Sequence, residues 1–554
     1  MNRLGIVALL VLYAGGSIAF ALRLWSWVLN FDPGFTFSHQ PIPTGLPVSR
    51  GVTVLLIDGL RLDASRGMPA LNALRRRGAD IEAEVGTPSF SRPGRATLAV
   101  GAFPAIHGVT TNRQKRALTI DNLLRRVGAL GGTCRVAGSK IWPGLFGDDI
   151  SRCGVYRAGE AKEGSGAFVR QAPEVRAADE AGVAFVLEPP ATLRIADIIS
   201  TDFAAHEYGG TSKEYLAEVL RADQVLARLQ SRLDLSKETL VVTSDHGHRD
   251  AGGHGGEEPD VLAIPVVMAG AGIRPSTRAN ASQADIAPTI AVLLGAAFPA
   301  AASGRPIASV LLVDETKRAV VEAASAAQKS EFDRAVGRRL GVEANRNGST
   351  DWRDLTFVHR TEEKDQRDVV FIFVNIALLS SVFMAAHFAR SGALGPLTGL
   401  LAAIALLVWP IRARMPAMSF SAINYDEMLV PFFAWIMEVS ALTTLLSIVA
   451  AVLASRLMKR GEGEASPAAV AGTSGLNISS VLVLLALGWW WRQDLLSPAT
   501  LPGPDRMVEA FALTLSAASA SITSLALLAL FWAAEGGIAR RAKARSNSRG
   551  SPTE

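Results

Sequence analysis

The chain has 554 residues, more than one hydrophobic core usually supports, so two or more structural units are expected. Apolar residues make up 49% of the chain and charged residues only 19%, which excludes an ordinary soluble enzyme and favours membrane-spanning segments. Much of the net charge of +5 lies in short basic runs beside apolar segments, so we expect topology signals and no nucleic-acid binding.

The first apolar segment, residues 4–22, is uncharged and follows Arg3. It is long for the core of a signal peptide and close to the length of a membrane-spanning helix. Small residues at Ala19 and Ala21 keep cleavage as an alternative. We expect an uncleaved membrane anchor within residues 1–29, and either interpretation exports the segment that follows.

Residues 30–365 have the pattern of a globular α/β domain, in which short apolar runs alternate with helical patterns such as 69–77 and 214–232. The predicted strands are 52–58, 134–138, 193–199, 240–245 and 264–270. Such continuously apolar strands predict a mostly parallel sheet flanked by helices on both faces. The Ala/Gly/Glu-rich stretch 158–182 is expected to form a loop over the site.

The composition changes abruptly at about residue 368, where an α-helical transmembrane domain is expected to span 366–535, before a basic tail at 536–554. Its five predicted segments are about 369–388, 392–411, 428–454, 476–491 and 508–534. With the N-terminal segment the count is even, so both termini share a side, and the basic clusters identify that side as the cytoplasm. We therefore expect an integral inner (cytoplasmic) membrane protein whose 30–365 domain is extracytoplasmic, and periplasmic if the chain is bacterial.

The two cysteines, Cys134 and Cys153, both lie in the domain that is expected outside the cytoplasm. A disulfide is chemically permitted there, and a bonded pair and two free thiols remain equal alternatives. The two residues do not form a metal-binding pattern.

Carboxylates and imidazoles follow several predicted strands, at the edge where an open α/β sheet binds ligands. They are Asp58, Asp202, His206, Asp245, His246 and His254. Each alone has a plainer interpretation, such as a helix cap or a loop residue. Together they form a nitrogen and oxygen donor set that suits zinc. Of the other histidines, we expect His248 to lie beside the ligands or at the surface, and His107 to be structural.

The segment PSFSRPGRATLAVG, residues 88–101, contains the candidate nucleophile Ser91. Pro93 suits the first turn of a helix, so Ser91 is predicted at or just before a helix N-terminus. The unpaired N–H groups and the positive dipole end there favour a bound phosphate and a serine alkoxide. Coordination to a metal would activate the serine further.

Four stretches between Val52 and Ile273 resemble the alkaline phosphatase superfamily, particularly the nucleotide pyrophosphatase/phosphodiesterases and the glycosylphosphatidylinositol (GPI) ethanolamine phosphate transferases. Among the latter, the chain looks most like the enzyme that acts on the first mannose. The stretches are TPSFSRPGRATLAVG, TDFAAHEYGGTSKEY, VVTSDHGHRDAGGHGG and IPVVMAGAGI.

The resemblance implies two zinc sites, with other divalent metals such as manganese as alternatives. One site would use Asp202, His206 and His254. The other would use Asp58, Asp245 and His246, with Ser91 joining it. Asn112, which stands 21 residues after Ser91, would contact the phosphoryl oxygens as in the phosphodiesterases.

The implied reaction is a double displacement through a phosphoseryl intermediate at Ser91. A phospholipid donor, phosphatidylethanolamine above all, and a lipid or glycan acceptor are expected, while the oligomeric state is not predicted. The transferases carry a larger C-terminal membrane domain, so GPI itself is not implied as acceptor. Three alternatives stay open: a hydrolytic phosphodiesterase or phosphatase, a sulfatase matching the S-x-P-x-R pattern at residues 91–95, and an inactive membrane scaffold.

Overall fold

The computed structural model of the chain describes residues 3–37, 42–159, 168–340, 421, 429–458, 466–492 and 504–549. The strands are β1 (Val52–Ile57), β2 (Ala79–Glu84), β3 (Cys134–Gly138), β4 (Gly154–Ala158), β5 (Leu193–Ile198), β6 (Thr239–Thr243), β7 (Ala263–Gly270) and β8 (Thr277–Ser282). The helices before β5 are α1 (Arg3–Leu29), α2 (Leu62–Ser65), α3 (Pro69–Arg77), α4 (Ser91–Val100), α5 (Pro104–His107), α6 (Leu123–Ala129), α7 (Ile141–Cys153) and α8 (Phe168–Leu187). The helices after β5 are α9 (Ser200–Tyr208), α10 (Lys213–Gln230), α11 (Pro259–Leu262), α12 (Ile286–Leu294), α13 (Glu315–Leu340), α14 (Leu429–Met458), α15 (Pro467–Arg492) and α16 (Pro504–Arg549).

The strands form one eight-stranded sheet in the order β4-β3-β5-β1-β6-β7-β2-β8. Every neighbouring pair is parallel except those that involve β7, which runs antiparallel to both β6 and β2. The carboxyl ends of β1, β5, β6 and β2 therefore meet at the same edge. The predicted α/β architecture with a mostly parallel sheet is confirmed.

The central strand β1 is buried along its whole length, because helices cover both faces of the sheet. Val54 and Leu56 pack into a core shared with α4, α7 and α12. Leu55 and Ile57 point the other way, into a core shared with α3, α8 and α10. Each such side chain contributes roughly 1.5–3 kcal/mol by leaving water, which explains the uninterrupted apolar sequence of the strand.

Three strands were not predicted because their sequences lack apolar runs. They are β2 (ADIEAE), β4 (GVYRA) and β8 (TRANAS), and β4 and β8 are the outermost strands of the sheet. Side chains on an edge strand meet solvent and need not be apolar.

The expectation of a loop over 158–182 is wrong for residues 168–182, which belong to helix α8. Alanine-rich segments favour helix formation. Val175 and Val186 are fully buried in the core that α8 shares with the sheet. Residues 160–167 lie outside the described residues.

Cys134 and Cys153 form a disulfide, with their Cα atoms 5.2 Å apart. Of the two alternatives that the sequence left open, the structure has the bonded pair. The bond links the start of β3 to the end of α7.

Four helices of the described part of the chain are long and apolar enough to cross a membrane, namely α1, α14, α15 and α16. They pack against one another, and Ser440 and Ser516 are joined by a hydrogen bond of 2.8 Å between their hydroxyls. Helices α14 to α16 cover the last three predicted apolar segments. The segments predicted near 369–388 and 392–411 lie outside the described residues.

Candidate active site and metal centre

The candidate site lies where the three central strands of the sheet end. Asp58 directly follows β1, and Asp245 lies two residues after the end of β6. Asp202 lies in the first turn of α9, which begins just after β5. Strand β1 pairs with both β5 and β6, so the three carboxylates that stand far apart in the sequence converge.

One predicted ligand group is centred on His246. Its Nε2 lies 3.4 Å from Asp58 Oδ1, 3.6 Å from Asp245 Oδ2 and 3.2 Å from Ser91 Oγ. Two ligands of one tetrahedral zinc ion, each about 2.1 Å from it, lie about 3.4 Å apart. The distances therefore suit a shared cation. The candidate nucleophile Ser91 lies close enough to His246 to belong to the same group.

The second predicted group has the same spacing around Asp202. His206 Nε2 lies 3.5 Å from Asp202 Oδ2, and His254 Nε2 lies 3.6 Å from Asp202 Oδ1. The two imidazole Nε2 atoms are 3.1 Å apart. The rings of His246 and His254 stack with centroids 3.6 Å apart, so the two groups are immediate neighbours.

Two of the histidines are held in the tautomer that a metal requires. His246 Nδ1 donates to Gly247 O and His254 Nδ1 donates to Ser89 O, each at 3.0 Å. A carbonyl only accepts, so the proton is on Nδ1 and the lone pair is on Nε2, as in most metal-binding histidines. Burial lowers the pKa of His254 well below its ordinary range, which keeps the ring neutral.

Asp58 provides a further test of whether a cation fits. Its Oδ1 is buried and has no hydrogen-bond partner among the described residues, and it is the oxygen that faces His246. A buried carboxylate oxygen without a partner is costly, and a divalent cation would satisfy it. Burial raises the pKa of Asp58, although the Arg95 guanidinium opposes that shift.

The guanidinium of Arg95 lies beneath the site and is fully buried. It bonds Asp245 Oδ2 at 2.5 Å, Asp58 Oδ2 at 2.7 Å and Asp197 Oδ2 at 3.1 Å. Asp197 also accepts from Trp142 Nε1 at 2.9 Å. One positive charge thus faces three buried carboxylates, and the excess negative charge favours cation binding.

Ser91 is the first residue of helix α4, as predicted. The helix comes close to the end of β6, since a Cβ added at Gly94 would lie 2.8 Å from Asp245 Cβ. Asn112 Oδ1 accepts a hydrogen bond of 2.8 Å from Arg92 N, which brings Asn112 next to the nucleophile. The Asn112 amide nitrogen is a donor suited to a phosphoryl oxygen.

Sequence reasoning missed two features of the site and left one open. It gave no role to Arg95 or Asp197, although Arg95 stands one helical turn after Ser91 and Asp197 is a charged residue inside an apolar strand.

The sequence placed His248 either beside the ligands or at the surface. In the structure its side chain is fully buried beside the ligands, with Nε2 2.8 Å from Asp202 Oδ1. His107 is a buried residue bonded to Thr97 and to the backbone of Val109, in accord with a structural role.

The site also lies beside the four long apolar helices that could span a membrane. Phe90, which precedes Ser91, packs in one apolar cluster with residues of three of these helices. The others in that cluster are Ala21, Leu24, Val28, Ala486, Met507, Ala510 and Phe511. Gly256 N donates to Ser421 Oγ at 2.8 Å, two residues after His254. The loop that precedes Ser91 therefore packs against the long apolar helices, and the loop of His254 is bonded to Ser421.

Comparison with known proteins matches this domain to one family. The family model for type I phosphodiesterase / nucleotide pyrophosphatase matches residues 52–121 and 158–262. The matched ranges include every predicted ligand, Ser91 and Asn112.

Curated relatives that match are GPI ethanolamine phosphate transferases. The human transferase 3 catalytic subunit is 26% identical over 282 residues, which cover 45% of this chain and 24% of the relative. The Aspergillus fumigatus transferase 2 is 24% identical over 302 residues, covering 48% and 38%. The human transferase 1 is 23% identical over 316 residues, covering 48% and 33%. The chain thus spans about a quarter to two fifths of the length of these relatives.

Among solved structures, human ectonucleotide pyrophosphatase / phosphodiesterase 5 matches 48% of this chain and 100% of its own, with 15% identity and a TM-score of 0.37. The sequence matches carry the comparison. Residues 52–121 and 158–262 are similar to the type I phosphodiesterase / nucleotide pyrophosphatase family.

Proposed function

We propose that the chain is a membrane-anchored phosphotransferase that moves phosphoethanolamine from phosphatidylethanolamine to a hydroxyl of a lipid or glycan. The observation that carries this proposal is the position of Ser91 at a helix N-terminus, with its Oγ 3.2 Å from His246 Nε2 in a group of metal-type ligands. The names of the curated relatives support ethanolamine phosphate as the transferred group.

Two divalent cations, zinc by the donor set, would be held in the site. Asp58, Asp245 and His246 would bind one of them. Asp202, His206 and His254 would bind the other. When bound, the cations would supply Lewis-acid stabilisation of charge on the serine and phosphoryl oxygens.

The residues of the chain itself position the reacting atoms. Ser91 Oγ forms a bond to phosphorus while the bond from phosphorus to the diacylglycerol oxygen breaks, and the serine proton leaves with that alcohol. The Ser91 N–H at the start of α4 and the Asn112 amide donate to the phosphoryl oxygens. An acceptor hydroxyl then attacks the phosphorus, its proton returns to Ser91 Oγ, and the Oγ–P bond breaks.

The place of the site beside the membrane-spanning helices supports a lipid donor. Phe90 packs among those helices, and Ser91 follows it directly. A donor that stays in the bilayer would have its phosphate near this face of the domain. We further propose that the globular domain is extracytoplasmic and both termini cytoplasmic, since Arg540, Arg541 and Lys543 lie in the last turns of α16.

The test is peptide mass spectrometry of Ser91 after the purified, zinc-loaded full-length protein is incubated in vesicles with phosphatidylethanolamine. We expect a phosphoethanolamine adduct on Ser91, and none on the matched variant Ser91→Ala. Addition of glycerol as a model acceptor then measures how the group divides between an alcohol and water.

Three results would contradict the proposal in different ways. Release of phosphoethanolamine to water alone, however much glycerol is present, would make the chain a hydrolase, which the description of the matched family favours. Formylglycine at position 91 would identify a sulfatase. An unmodified and unreactive Ser91 would exclude phosphatidylethanolamine as the donor.

A further inference from the structure

His248 is a fourth histidine in the site, and neither of the two proposed ligand groups includes it. It stands two residues after His246, and its side chain is fully buried. Its Nε2 lies 2.8 Å from Asp202 Oδ1. That distance is typical of a direct hydrogen bond and is shorter than the roughly 3.4 Å between two ligands of one zinc ion. Ligand atoms of Asp202, His246, His248 and His254 also lie within 4.8 Å of one another, so a direct ligand role for His248 is the alternative that the variants below decide.

The direction of this hydrogen bond follows from the chemistry of the two groups. An ionised carboxylate only accepts, so the proton must be on His248 Nε2. The other ring nitrogen, Nδ1, is buried and has no hydrogen-bond partner among the described residues. The ring is thus held by packing and by its bond to Asp202, with no second polar contact in the described part of the chain.

Two glycines from distant parts of the chain make the space that the imidazole occupies. A Cβ added at Gly59, where φ is +68°, would lie 2.7 Å from His248 Cδ2 and Nε2. A Cβ added at Gly210 would lie 2.9 Å from His248 Cβ. Larger residues at either position would displace the ring, so the enclosure fits a histidine in this orientation.

We propose that His248 is a positioning residue for the metal group of Asp202, His206 and His254. By donating to Oδ1, it fixes the rotation of the Asp202 carboxylate so that its oxygens face the other two ligands. Ligand carboxylates are commonly oriented by such outer hydrogen bonds, whose loss costs about 10–100-fold in metal affinity. The proposal assumes the metal function of Asp202, but it does not depend on the donor or the acceptor.

The test compares three variants of the full-length protein in detergent. In His248→Gln the amide nitrogen can still donate to Asp202. In His248→Leu the volume is kept but the donor is lost, and in His248→Asn the amide is too short to reach. Zinc stoichiometry and affinity are measured by competition with a chelator, and thermal unfolding of each metal-free variant reports whether it folds.

We expect the wild type to bind two zinc ions and His248→Gln to keep both affinities within about threefold. The Leu and Asn variants should bind one of the two ions about 10–100-fold more weakly. Should Leu fail to fold, the comparison of Gln with Asn still decides the question.

Each other outcome overturns the proposal. Loss of one ion in His248→Gln as well would make His248 a direct ligand, because an amide nitrogen is a poor donor to zinc. Unchanged affinity in all three variants would leave His248 with a packing role alone. A wild type that binds no zinc would remove the proposed metal centre, and the role of His248 with it.

Discussion

Arg95 provides the positive charge that faces three buried carboxylates of the site. Its guanidinium is completely buried and contacts three carboxylates, of which Asp58 and Asp245 are proposed metal ligands. Removing one partner of a buried ion pair is costly, because the remaining charge stays buried and unpaired. Cations bound to the same carboxylates would compensate part of that charge.

We therefore predict that Arg95→Met destabilises the metal-free protein by about 3–5 kcal/mol and the zinc-loaded protein by clearly less. Chemical unfolding with and without zinc measures the two values. Arg66→Met is a matched control, because Arg66 is 39% exposed and its buried partner Asp80 keeps its pair with Arg75, so a loss of at most about 1 kcal/mol is expected. An equal loss in both metal states would show that Arg95 and the cations do not share the carboxylates.

His107 predicts a pH dependence that is separate from the metal ligands. Burial lowers its pKa to about 3, whereas the unfolded residue keeps an ordinary value of 6.5. Between these two values the unfolded state binds a proton that the folded state does not. The stability from this residue is therefore complete above pH 6.5 and falls as the pH decreases towards 3.

The variant His107→Gln removes this linkage. Between pH 7 and pH 5 we expect the wild type to lose about 2 kcal/mol more unfolding free energy than the variant, at about 1.4 kcal/mol per pH unit below 6.5. Chemical unfolding of both proteins at pH 7 and pH 5 measures this difference. The other titrating groups are common to both proteins, so their contributions cancel. Parallel pH profiles would mean that His107 is protonated in the folded protein.

At the scale of elements, the loop before α4 connects the proposed nucleophile Ser91 to the long apolar helices. Phe90 belongs to one apolar cluster with residues of α1, α15 and α16, and its ring also meets His254 edge-on with centroids 5.8 Å apart. This one side chain therefore links the proposed nucleophile Ser91, the proposed metal ligand His254 and the long apolar helices.

We predict that Phe90→Ala lowers transfer from phosphatidylethanolamine by about tenfold or more, since small displacements of reacting groups have large kinetic effects. Cleavage of a small water-soluble phosphodiester should fall less, because that substrate needs no alignment with the bilayer. Phe185→Ala makes the same truncation at a partly buried position that packs against the core between α8 and the sheet, and serves as the control. Equal losses on both substrates would show that Phe90 supports the site itself and not its alignment.

The sequence predicted the strands that carry the site better than those at the margins of the sheet. The central strands β1, β5 and β6 are buried on both faces, so their uninterrupted apolar runs are distinctive. The edge strands β4 and β8 have no such signal. Helix α8 was mistaken for a loop because its alanines and glycines suggested flexibility, while the burial of Val175 and Val186 depends on the sheet beneath them.

The proposed ligands could be predicted because each follows a strand or stands close to one in the sequence. The surroundings of those ligands could not. The enclosure of His248 depends on Gly59 and Gly210, which only the folded chain brings together. The pairing of Arg95 with Asp197 likewise requires α4 to cross the ends of β1 and β5.

At the scale of the whole molecule, the disulfide makes the proposed orientation testable with thiol chemistry. The chain has two cysteines and both are bonded to each other, so an introduced cysteine is the single free thiol. Thr211 is exposed in the globular domain, and Ala542 is exposed near the end of α16. The two positions are expected on opposite sides of the membrane.

We predict that a membrane-impermeant maleimide labels Thr211→Cys in sealed spheroplasts and labels Ala542→Cys only after the membrane is permeabilised. The charge asymmetry between the basic tail and the exported domain is the physical reason. Protein without an added cysteine controls for labelling of the disulfide. The reverse pattern would place the globular domain in the cytoplasm.

The contact of Phe90 with the membrane helices has a consequence for kinetics. Because the residue before Ser91 packs into the helix bundle, the nucleophile would sit at a constant height above the lipid surface. An enzyme held in this way searches for its donor by diffusion in two dimensions. Its rate would then follow the mole fraction of donor in the bilayer, so dilution with inert lipid would slow turnover. Adding more vesicles of the same composition would leave turnover unchanged.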